Sequence, residues 1–436
     1  MAAKIKAIVS LFMVIFFTNT HSEDVSFAFG KNTLHVTSQT HNITENTRYI
    51  MHDVNPGEGF NLRRDVYIRI ANLVKRLNEE ENQHWILVLA PWKHLYHWQN
   101  RYLDQNGEPW SNFFDVASLN RYVPVMEFDD FLQITGSSSI DLVMYLQRHP
   151  DGFSGGWKEM CEVGKCGDRI PFSKQGNKWR SNFWGHHEVV AQDLDCYDVQ
   201  GHATILIDTL KKVKARSILV DRFEQVLHTD YGSVEFYKAR RSLVFAQHLR
   251  EVADKFREKK LKSTDDKDKT PYADDWRKQM PEDGSALGGP YLSLHMRRGD
   301  FTYAHQETVP SIEEIGTEVT KQLKKYKLKK VYLATDGTDE EVKELQSHFE
   351  AKIYRISRTK KDVEMYRDGG IAIMDQWIAA HGRYFIGTCS STFSFRIYEE
   401  RDILGFDPKT TYNCICGQQA PKDRCEQPGG WRVKFG

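Results

Sequence analysis

The sequence has no excess of charge of either sign. Lysine plus arginine and aspartate plus glutamate each number 60 among the 436 residues. A protein that binds nucleic acid or an anionic membrane surface usually carries a basic excess. We therefore expect no nucleic acid as partner, and any charge that binds phosphate should be concentrated in one site.

Long apolar runs are missing beyond the N-terminus. Lys4 and Lys6 precede an apolar run at 7–17, and small and polar residues follow up to Ser22. This order is typical of a secretory signal peptide at 1–22, with an uncleaved signal anchor as the alternative. After removal of the signal we expect no stable insertion into a membrane.

The seven cysteines lack the spacing of a zinc site. No C-x-x-C pair occurs, and Cys414-x-Cys416 has no matching His or Cys pair nearby. An odd number leaves at least one thiol unpaired within the chain, and cysteines in this number suit an oxidising compartment. Asn42-Ile43-Thr44 is a glycosylation sequon, which a secretory protein can use.

A sugar transferase that needs a divalent metal would be expected to carry a D-x-D motif at a strand end. The motif Asp266-Lys267-Asp268 lies inside a charged run at 259–286, where solvation explains its acids. His186-His187 is a similarly weak signal. We therefore expect no bound metal.

The first half of the chain alternates between strands and helices. A strand from Tyr49, a glycine-rich turn at 55–61, a helix with apolar residues from Val66 to Leu77 and an apolar strand at 85–89 form the unit of a parallel doubly wound sheet. Further predictions are strands at 123–128 and 142–146, an irregular stretch at 151–200 stapled by a disulfide, and one long helix over 233–258. The segments at 205–210 and 218–220 are apolar again.

The second half repeats this alternation after the charged run at 259–286, which reads as a surface loop or linker. The pattern predicts strands at 291–294, 331–334, 353–356 and 384–387, capping boxes at Ser311/Glu314 and Thr338/Glu341, and a helix at 371–380. A chain of this length is too long for one core. We expect an α/β fold with Rossmann-like domains at 23–258 and 287–436 facing each other across a cleft.

The strand at 291–294 ends in an abruptly polar sequence: His295, Arg297, Arg298 and Asp300 follow it closely. Ligands of open α/β sheets sit beyond the carboxyl ends of strands. Two adjacent arginines there can neutralise a diphosphate, because guanidinium groups match phosphate oxygens. The alternative is a solvated basic turn.

The last predicted strand leads into a turn rich in hydroxyl groups at 388–393 and then into a helix. Helix N-terminal amides and Ser/Thr hydroxyls donate to phosphate, and a structural cap is the alternative. Asp375 lies between apolar residues in the preceding helix and must find donors. The edge of a guanine base would offer two, and a salt bridge is the alternative.

Glu58 is the only acid in the glycine-rich turn at 55–61. Glycines on both sides let the backbone approach a ligand closely. A carboxylate in this position could act as a general base on an incoming hydroxyl, whereas a solvated glutamate is the alternative.

Four motifs resemble the GDP-fucose protein O-fucosyltransferases, and within that family the type that modifies thrombospondin type 1 repeats. They are NPGEGFN at 55–61, HMRRGDF at 295–301, DQWIAAH at 375–381 and STFSFRIYEER at 391–401. The resemblance implies a two-domain GT-B fold, an inverting transfer from GDP-fucose without a metal, and residence in the endoplasmic reticulum. It also implies folded, disulfide-bonded repeats as acceptors, and we expect the enzyme to be a monomer.

The resemblance also assigns roles by matching position. Glu58 would be the catalytic base, and Arg297 would stabilise the leaving diphosphate. The contacts to GDP-fucose would be Gly57, Glu58, Gly59, Phe60, Asn61, His295, Met296, Arg297, Asp375, Thr392 and Phe393. Cys166 would pair with Cys196 and Cys416 with Cys425, while the pairing of Cys161, Cys389 and Cys414 stays open.

Two alternative functions stay open. An O-fucosyltransferase acting on EGF-like repeats is not expected to carry a glutamate in the N-terminal turn, so Glu58 argues against it. A non-catalytic quality-control protein of the endoplasmic reticulum would bind folded repeats without sugar transfer. An intact donor site with a carboxylate in place argues against this second alternative.

Overall fold

The computed structural model describes residues 41, 43–98, 100–150, 156–306, 308–418, 420 and 432–436. The predicted signal peptide at 1–22, the sequon residue Asn42 and the predicted disulfide partner Cys425 lie outside these residues. Among the described residues, no helix is both long enough and apolar enough to cross a membrane.

Strands and helices alternate along both halves, as the periodicity predicts. The strands are β1 Arg48–His52, β2 Trp85–Leu89, β3 Val125–Glu127, β4 Ser139–Arg148, β5 Met160–Gly164, β6 Ser173–Gln175, β7 Lys178–Arg180, β8 Val190–Gln200, β9 Ser217–Asp221, β10 Gly289–Met296, β11 Lys330–Thr335, β12 Lys352–Tyr354, β13 Gly382–Thr388 and β14 Thr411–Ile415. The helices are α1 Phe60–Glu79, α2 Val116–Asn120, α3 Phe128–Thr135, α4 Ile207–Lys212, α5 Val234–Ser242, α6 Gln247–Phe256, α7 Asp265–Asp268, α8 Phe301–Ala304, α9 Ile312–Tyr326, α10 Asp339–Ser347, α11 Lys360–Ala380 and α12 Thr392–Ile403.

The first sheet has the strand order β3-β2-β1-β9-β4-β8-β7-β6, with β5 paired to β8. The pairs that join β1, β2, β3, β4, β8 and β9 are parallel, and β5, β6 and β7 are added antiparallel. Ile50 belongs to one apolar cluster, and its neighbours Tyr49 and Met51 belong to another. The sheet is therefore buried on both faces here, as parallel sheets usually are.

The second sheet has the strand order β12-β11-β10-β13-β14, and all its pairs are parallel. The central strand β10 ends in the predicted phosphate motif, with β11 on one side and β13 on the other. The carboxyl ends of these three strands therefore meet at one edge of the sheet. Both sheets belong to one contact unit, Gln39–Gly436, so the predicted domain boundaries stay a prediction.

The helix predicted over 233–258 is wrong as a single element. It consists of α5 and α6, separated at residues 243–246. There the Ala246 amide donates to the Phe113 carbonyl at 3.0 Å, and Phe245 forms a bridge with Phe114. Helical periodicity continues across the break because the break is imposed by a segment distant in sequence.

The stretch at 151–200 is more regular than predicted. It contains β5, β6, β7 and the eleven-residue strand β8, which pairs along most of its length with β4. Strand β8 escapes a pattern-based prediction because acids interrupt its apolar residues. The disulfide between Cys166 and Cys196 in this stretch is confirmed.

The charged run at 259–286 packs more closely than a solvated loop. It contains a π-helical turn that ends at Leu261, the short helix α7 and a 3₁₀ turn at Trp276–Lys278. Leu261 and Trp276 are buried. Capping boxes at Ser311 and Thr338 start α9 and α10, so those two predictions are confirmed.

Candidate active site

The glycine-rich turn connects β1 to α1 and is held by its own backbone. The Glu58 amide donates to the Asn55 carbonyl at 2.9 Å, and Arg63 Nε donates to the Glu58 carbonyl at 3.0 Å. A Cβ on Gly59 would lie 2.8 Å from Cδ2 of His97. Glycine at this position therefore lets the His97 ring pack against the turn.

The Glu58 carboxylate is partly buried, and none of the described residues donates a hydrogen bond to it. Burial raises its pKa first, and the negative charge of Glu224 raises it further, although Arg63 opposes both effects. An acceptor without donors and with a raised pKa is suited to take a proton from a hydroxyl.

The end of β10 is joined to the end of β13 and to the first turn of α12. The Arg297 amide donates to Thr388 Oγ1 at 2.9 Å, and this hydroxyl donates to the His295 carbonyl at 2.8 Å. His295 Nδ1 and Ser394 Oγ are hydrogen-bonded at 2.7 Å, and the His295 ring stacks on Phe393 at 4.4 Å between centroids. The strand end and the helix N-terminus therefore form one surface.

His295 is buried and uncharged at neutral pH. Burial, followed by the positive charges of Arg297 and Arg358, lowers its pKa to about 3. Met296 is also buried, at the last position of β10. Thr392 and Phe393 begin α12 and are partly exposed, so their amides can meet an anion.

The two arginines of the motif differ in their surroundings. The Arg297 guanidinium pairs with Asp300 at 2.5 Å and with Asp336, which follows β11. Arg298 instead donates to Glu341 at 2.6 Å and to the Pro310 carbonyl at 3.1 Å, on the side of α9 and α10. Arg298 is therefore held by structural contacts, and its part in neutralising a diphosphate stays a prediction.

The loop at 93–98, called the Tyr96 loop below, packs against the glycine-rich turn through His97 and lies within electrostatic range of Arg297. Tyr96 is 60% exposed. Burial of part of the ring raises its pKa, and the negative charges of Asp300 and Glu58 raise it too, whereas the positive charge of Arg297 lowers it. Partial burial and the charge of Arg297 also lower the pKa of His97. Glu58 and Arg297 therefore both lie within electrostatic range of the Tyr96 loop.

Asp375 lies in α11 with its side chain 2% exposed. Its Oδ1 accepts from the Tyr332 hydroxyl at 2.5 Å, and its Oδ2 accepts from Arg358 Nη2 at 2.6 Å. The salt bridge that sequence left as an alternative is present. The contact of Asp375 with a guanine base stays a prediction, because this arrangement leaves lone pairs on both oxygens.

The predicted contacts in α1 are more buried than those in the turn. Asn61 Oδ1 accepts from Gln376 Nε2 at 3.0 Å and from Arg64 at 3.1 Å, which joins α1 to α11 beside Asp375. The Phe60 ring is buried in the apolar core, 4.9 Å from the ring of Trp92. Phe60 can therefore meet a ligand through its backbone, and Gly57 is exposed at the tip of the turn.

Ion pairs fix the first half of the chain against α12. Arg396 donates to Asp65 of α1 at 3.3 Å. Arg240 of α5 is buried, donates to Glu400 at 2.8 Å and also pairs with Glu399. Since these charges are shielded from water, loss of one partner would leave an uncompensated charge.

The described ranges contain one group of His, Cys, Asp or Glu side chains close enough to hold a metal ion: Cys389, Cys414 and Cys416. Cys389 and Cys414 are joined by a disulfide, and Cys416 is disulfide-bonded as well. These sulfurs are therefore not the thiolates that a metal needs. Cys161 is free, and the predicted pairing of Cys416 with Cys425 lies outside the described residues.

The D-x-D motif at 266–268 is less exposed than predicted. Asp268 is buried and accepts a hydrogen bond from Ser263, so solvation does not explain it. A second D-x-D, Asp193-Leu194-Asp195, escaped the sequence analysis. Both of its acids are exposed in β8.

Sequence reasoning missed the Tyr96 loop, Asp336 and Arg358. Asp336 follows a predicted strand directly, so the rule that ligands lie beyond strand ends could have found it. The sequence of the Tyr96 loop, Lys93-His94-Leu95-Tyr96-His97-Trp98, is unusually rich in rings for a loop after a strand. No pattern pointed to Arg358, because its partner Asp375 is 17 residues away.

The chain is similar to several known proteins. A family model described as GDP-fucose protein O-fucosyltransferase matches residues 49–404. The human protein named GDP-fucose protein O-fucosyltransferase 2 is 48% identical over 391 residues, which cover 89% of this chain and 90% of the human one. The Caenorhabditis elegans protein of the same name is 40% identical over 436 residues, covering 97% of this chain and 98% of that protein.

Among solved structures, POFUT1 in complex with GDP superimposes with a TM-score of 0.54 at 16% identity, covering 85% of this chain and 99% of that one. This likeness shows the fold, so the predicted GT-B-like α/β architecture is confirmed. The family match over most of the chain and the identity to the two relatives establish more than the fold. This chain belongs to the GDP-fucose protein O-fucosyltransferase family and is a fucosyltransferase related to the proteins named O-fucosyltransferase 2.

Proposed function

We propose that this protein transfers fucose from GDP-fucose to serine or threonine hydroxyls of folded thrombospondin type 1 repeats. The transfer inverts the anomeric carbon and uses no metal, and it takes place in the lumen of the endoplasmic reticulum. Membership of the family and the names of the relatives support the donor and the protein acceptor. The disulfides Cys166–Cys196 and Cys389–Cys414 support an oxidising compartment.

One observation carries the proposal: the Tyr96 loop packs against the turn that bears Glu58 and also lies within electrostatic range of Arg297. Glu58 and Arg297 both influence the Tyr96 hydroxyl. A transfer with inversion needs a base on the face of the sugar opposite the leaving group. Glu58 supplies that base from the turn after β1, and Arg297 supplies positive charge from the end of β10.

In this mechanism the acceptor oxygen forms a bond to C1 of fucose while the bond from C1 to the diphosphate oxygen breaks. The acceptor proton passes to Glu58. Negative charge grows on the departing diphosphate, where Arg297 and the amides at the start of α12 stabilise it. Arg297 must share its N–H groups between phosphate and the carboxylates of Asp300 and Asp336.

The folded state of the acceptor contributes orientation. A disulfide-bonded repeat presents its hydroxyl in one geometry, and this removes entropy before the chemical step. The exposed ring of Tyr96 supports a contact with a protein surface, since exposed aromatic residues are common at interfaces.

The test uses the purified full chain, GDP-fucose and four acceptors: a folded thrombospondin type 1 repeat, the same repeat reduced, the same repeat with its acceptor hydroxyl removed, and a folded EGF-like repeat. Intact mass and GDP release are measured together. We expect one fucose on the folded thrombospondin repeat and none on the other three.

Three results would contradict the proposal. Equal transfer to the EGF-like repeat would indicate the other acceptor type. Equal transfer to the reduced repeat would show that acceptor shape contributes nothing. Binding of the folded repeat without GDP release or gain of mass would indicate the non-catalytic binder.

A further inference from the structure

The ion pair between Arg358 and Asp375 has a feature that a purely structural salt bridge does not require. The Asp375 side chain is 2% exposed, whereas the Arg358 side chain is 44% exposed. Arg358 donates one hydrogen bond to Asp375 through Nη2, and its other nitrogen atoms have no acceptor within the described part of the chain. A buried carboxylate therefore carries a guanidinium whose remaining N–H groups stay available.

The Arg358 guanidinium lies within electrostatic range of the candidate donor site. Arg358 lies between β12 and α11, at the edge of the sheet where the strands β10 and β13 also end. Its positive charge contributes to the lowered pKa of His295, so the guanidinium lies within electrostatic range of the ring that stacks on Phe393. The ion pair of Arg358 with Asp375 therefore lies near this stacked pair.

The chemistry of this pair matches one purine edge. Guanine presents a row of three groups: the 2-amino group and N1–H as donors, and O6 as an acceptor. When a carboxylate accepts from the 2-amino group and N1–H, a guanidinium that is bonded to one oxygen of that carboxylate lies beside O6. Each carboxylate oxygen has two lone pairs, so Tyr332 and Arg358 can stay bonded to Asp375 while the base binds.

We propose that Arg358 is a base-selecting residue that donates a hydrogen bond to O6 of guanine while Asp375 accepts from the 2-amino group and N1–H. This inference deepens the proposed function, because it takes GDP-fucose as the donor. Adenine has an amino group where guanine has O6, and this donor would face the donors of Arg358. The pair thus rejects the wrong purine as well as binding the right one.

The test compares GDP with 6-thio-GDP by titration calorimetry. The sulfur analogue keeps both N–H groups for Asp375 but replaces O6 by a weaker acceptor. The variants are Arg358→Met and Arg358→Lys, with Arg355→Met as the matched control. Arg355 precedes Arg358 by three residues and pairs with Asp339 at 3.1 Å, so its removal changes the same charge on the same loop.

In the wild type and in Arg355→Met we expect GDP to bind more tightly than 6-thio-GDP. Arg358→Met should lower the affinity for GDP by about tenfold, since a hydrogen bond from a charged group is lost. The affinity for 6-thio-GDP should fall much less, so the preference between the two nucleotides should approach one. The ratio of the two affinities is compared because any long-range effect of the lost charge acts on both nucleotides.

Arg358→Lys keeps the positive charge beside Asp375, so this variant provides the test if Arg358→Met does not fold. A lysine ammonium lacks the planar fork that can span Asp375 and O6 at once, so the preference for GDP should fall in this variant too. An unchanged preference in either folded variant would overturn the inference. Tighter binding of GDP in Arg358→Met would also overturn it, because Arg358 would then be blocking Asp375.

An equal loss for both nucleotides in Arg358→Met would show that Arg358 only positions Asp375, and would overturn base selection. These outcomes are separate from a failure of the proposed function. That failure would appear in the wild type, as a lack of GDP binding or of transfer from GDP-fucose. If the wild type transfers fucose but Arg358 does not select the base, only this inference is rejected and the proposed function stands.

Discussion

The turn after β1 and the end of β10 differ in how far their charges are already satisfied. Glu58, after β1, receives no hydrogen bond from the described residues, and its raised pKa reflects burial and a neighbouring acid. Arg297, after β10, is paired with both Asp300 and Asp336. The proposed base thus needs no rearrangement to accept a proton, whereas the proposed phosphate site must exchange carboxylate partners for phosphate oxygens.

The largest expected effect tests the Glu58 side. Glu58→Ala should lower kcat for the protein acceptor by on the order of 10²–10⁴, because a serine or threonine hydroxyl is too weakly acidic to attack unaided. GDP binding should stay within a few fold of the wild type. Transfer assays and calorimetry on the same preparation measure both quantities. Loss of GDP binding in step with turnover would show that Glu58 holds the turn or the donor instead.

Arg297→Ala tests the other side. Removal of one preorganised donor typically costs about 10²–10³ in rate, and here the chain should still fold and be secreted. Asp336→Asn serves as the matched control, since it releases Arg297 from a carboxylate and should strengthen GDP binding. Single-turnover transfer and GDP titration distinguish the two variants. Near-normal turnover of Arg297→Ala would remove Arg297 from the mechanism.

A third prediction concerns the pH dependence that the Glu58 side imposes. A base acts when deprotonated, so kcat/KM should fall as the pH drops through the pKa of Glu58, which lies above the ordinary glutamate value. Glu224→Gln removes the negative charge that raises this pKa and should move the acid limb to lower pH. The rate at neutral pH should be almost unchanged. An acid limb at the same pH in both proteins would assign that limb to another group.

The smallest expected effect concerns metal removal. Because Arg297 and the first turn of α12 provide the positive potential at the diphosphate, transfer should persist in excess EDTA. The measurement is the initial rate before and after dialysis against the chelator. A loss of activity that Mn²⁺ or Mg²⁺ restores would show that the Arg297 side is incomplete without a cation.

Local signals predicted much of the fold. The capping boxes at Ser311 and Thr338 start helices where expected, and β2 has the predicted bounds. The same kind of reasoning joined α5 and α6 into one helix, because their apolar periodicity continues through a break imposed by Phe113 and Phe114. Caps and periodicity depend on neighbours in the chain, whereas breaks and edge strands depend on what packs against them.

In the candidate site, too, some features follow from the sequence and others depend on packing. The residue types at Glu58, His295, Arg297 and Asp375 and their places after strands or in a helix follow from the order of residues in the chain. The side chains that these residues contact cannot be predicted from that order. Arg298 contacts Glu341, Asp375 contacts Arg358 and Tyr332, and the Tyr96 loop comes within electrostatic range of both Glu58 and Arg297. Electrostatic and hydrogen-bonding energies depend on distances of a few ångströms, and such distances between segments far apart in sequence are fixed by the packing of both sheets and their helices.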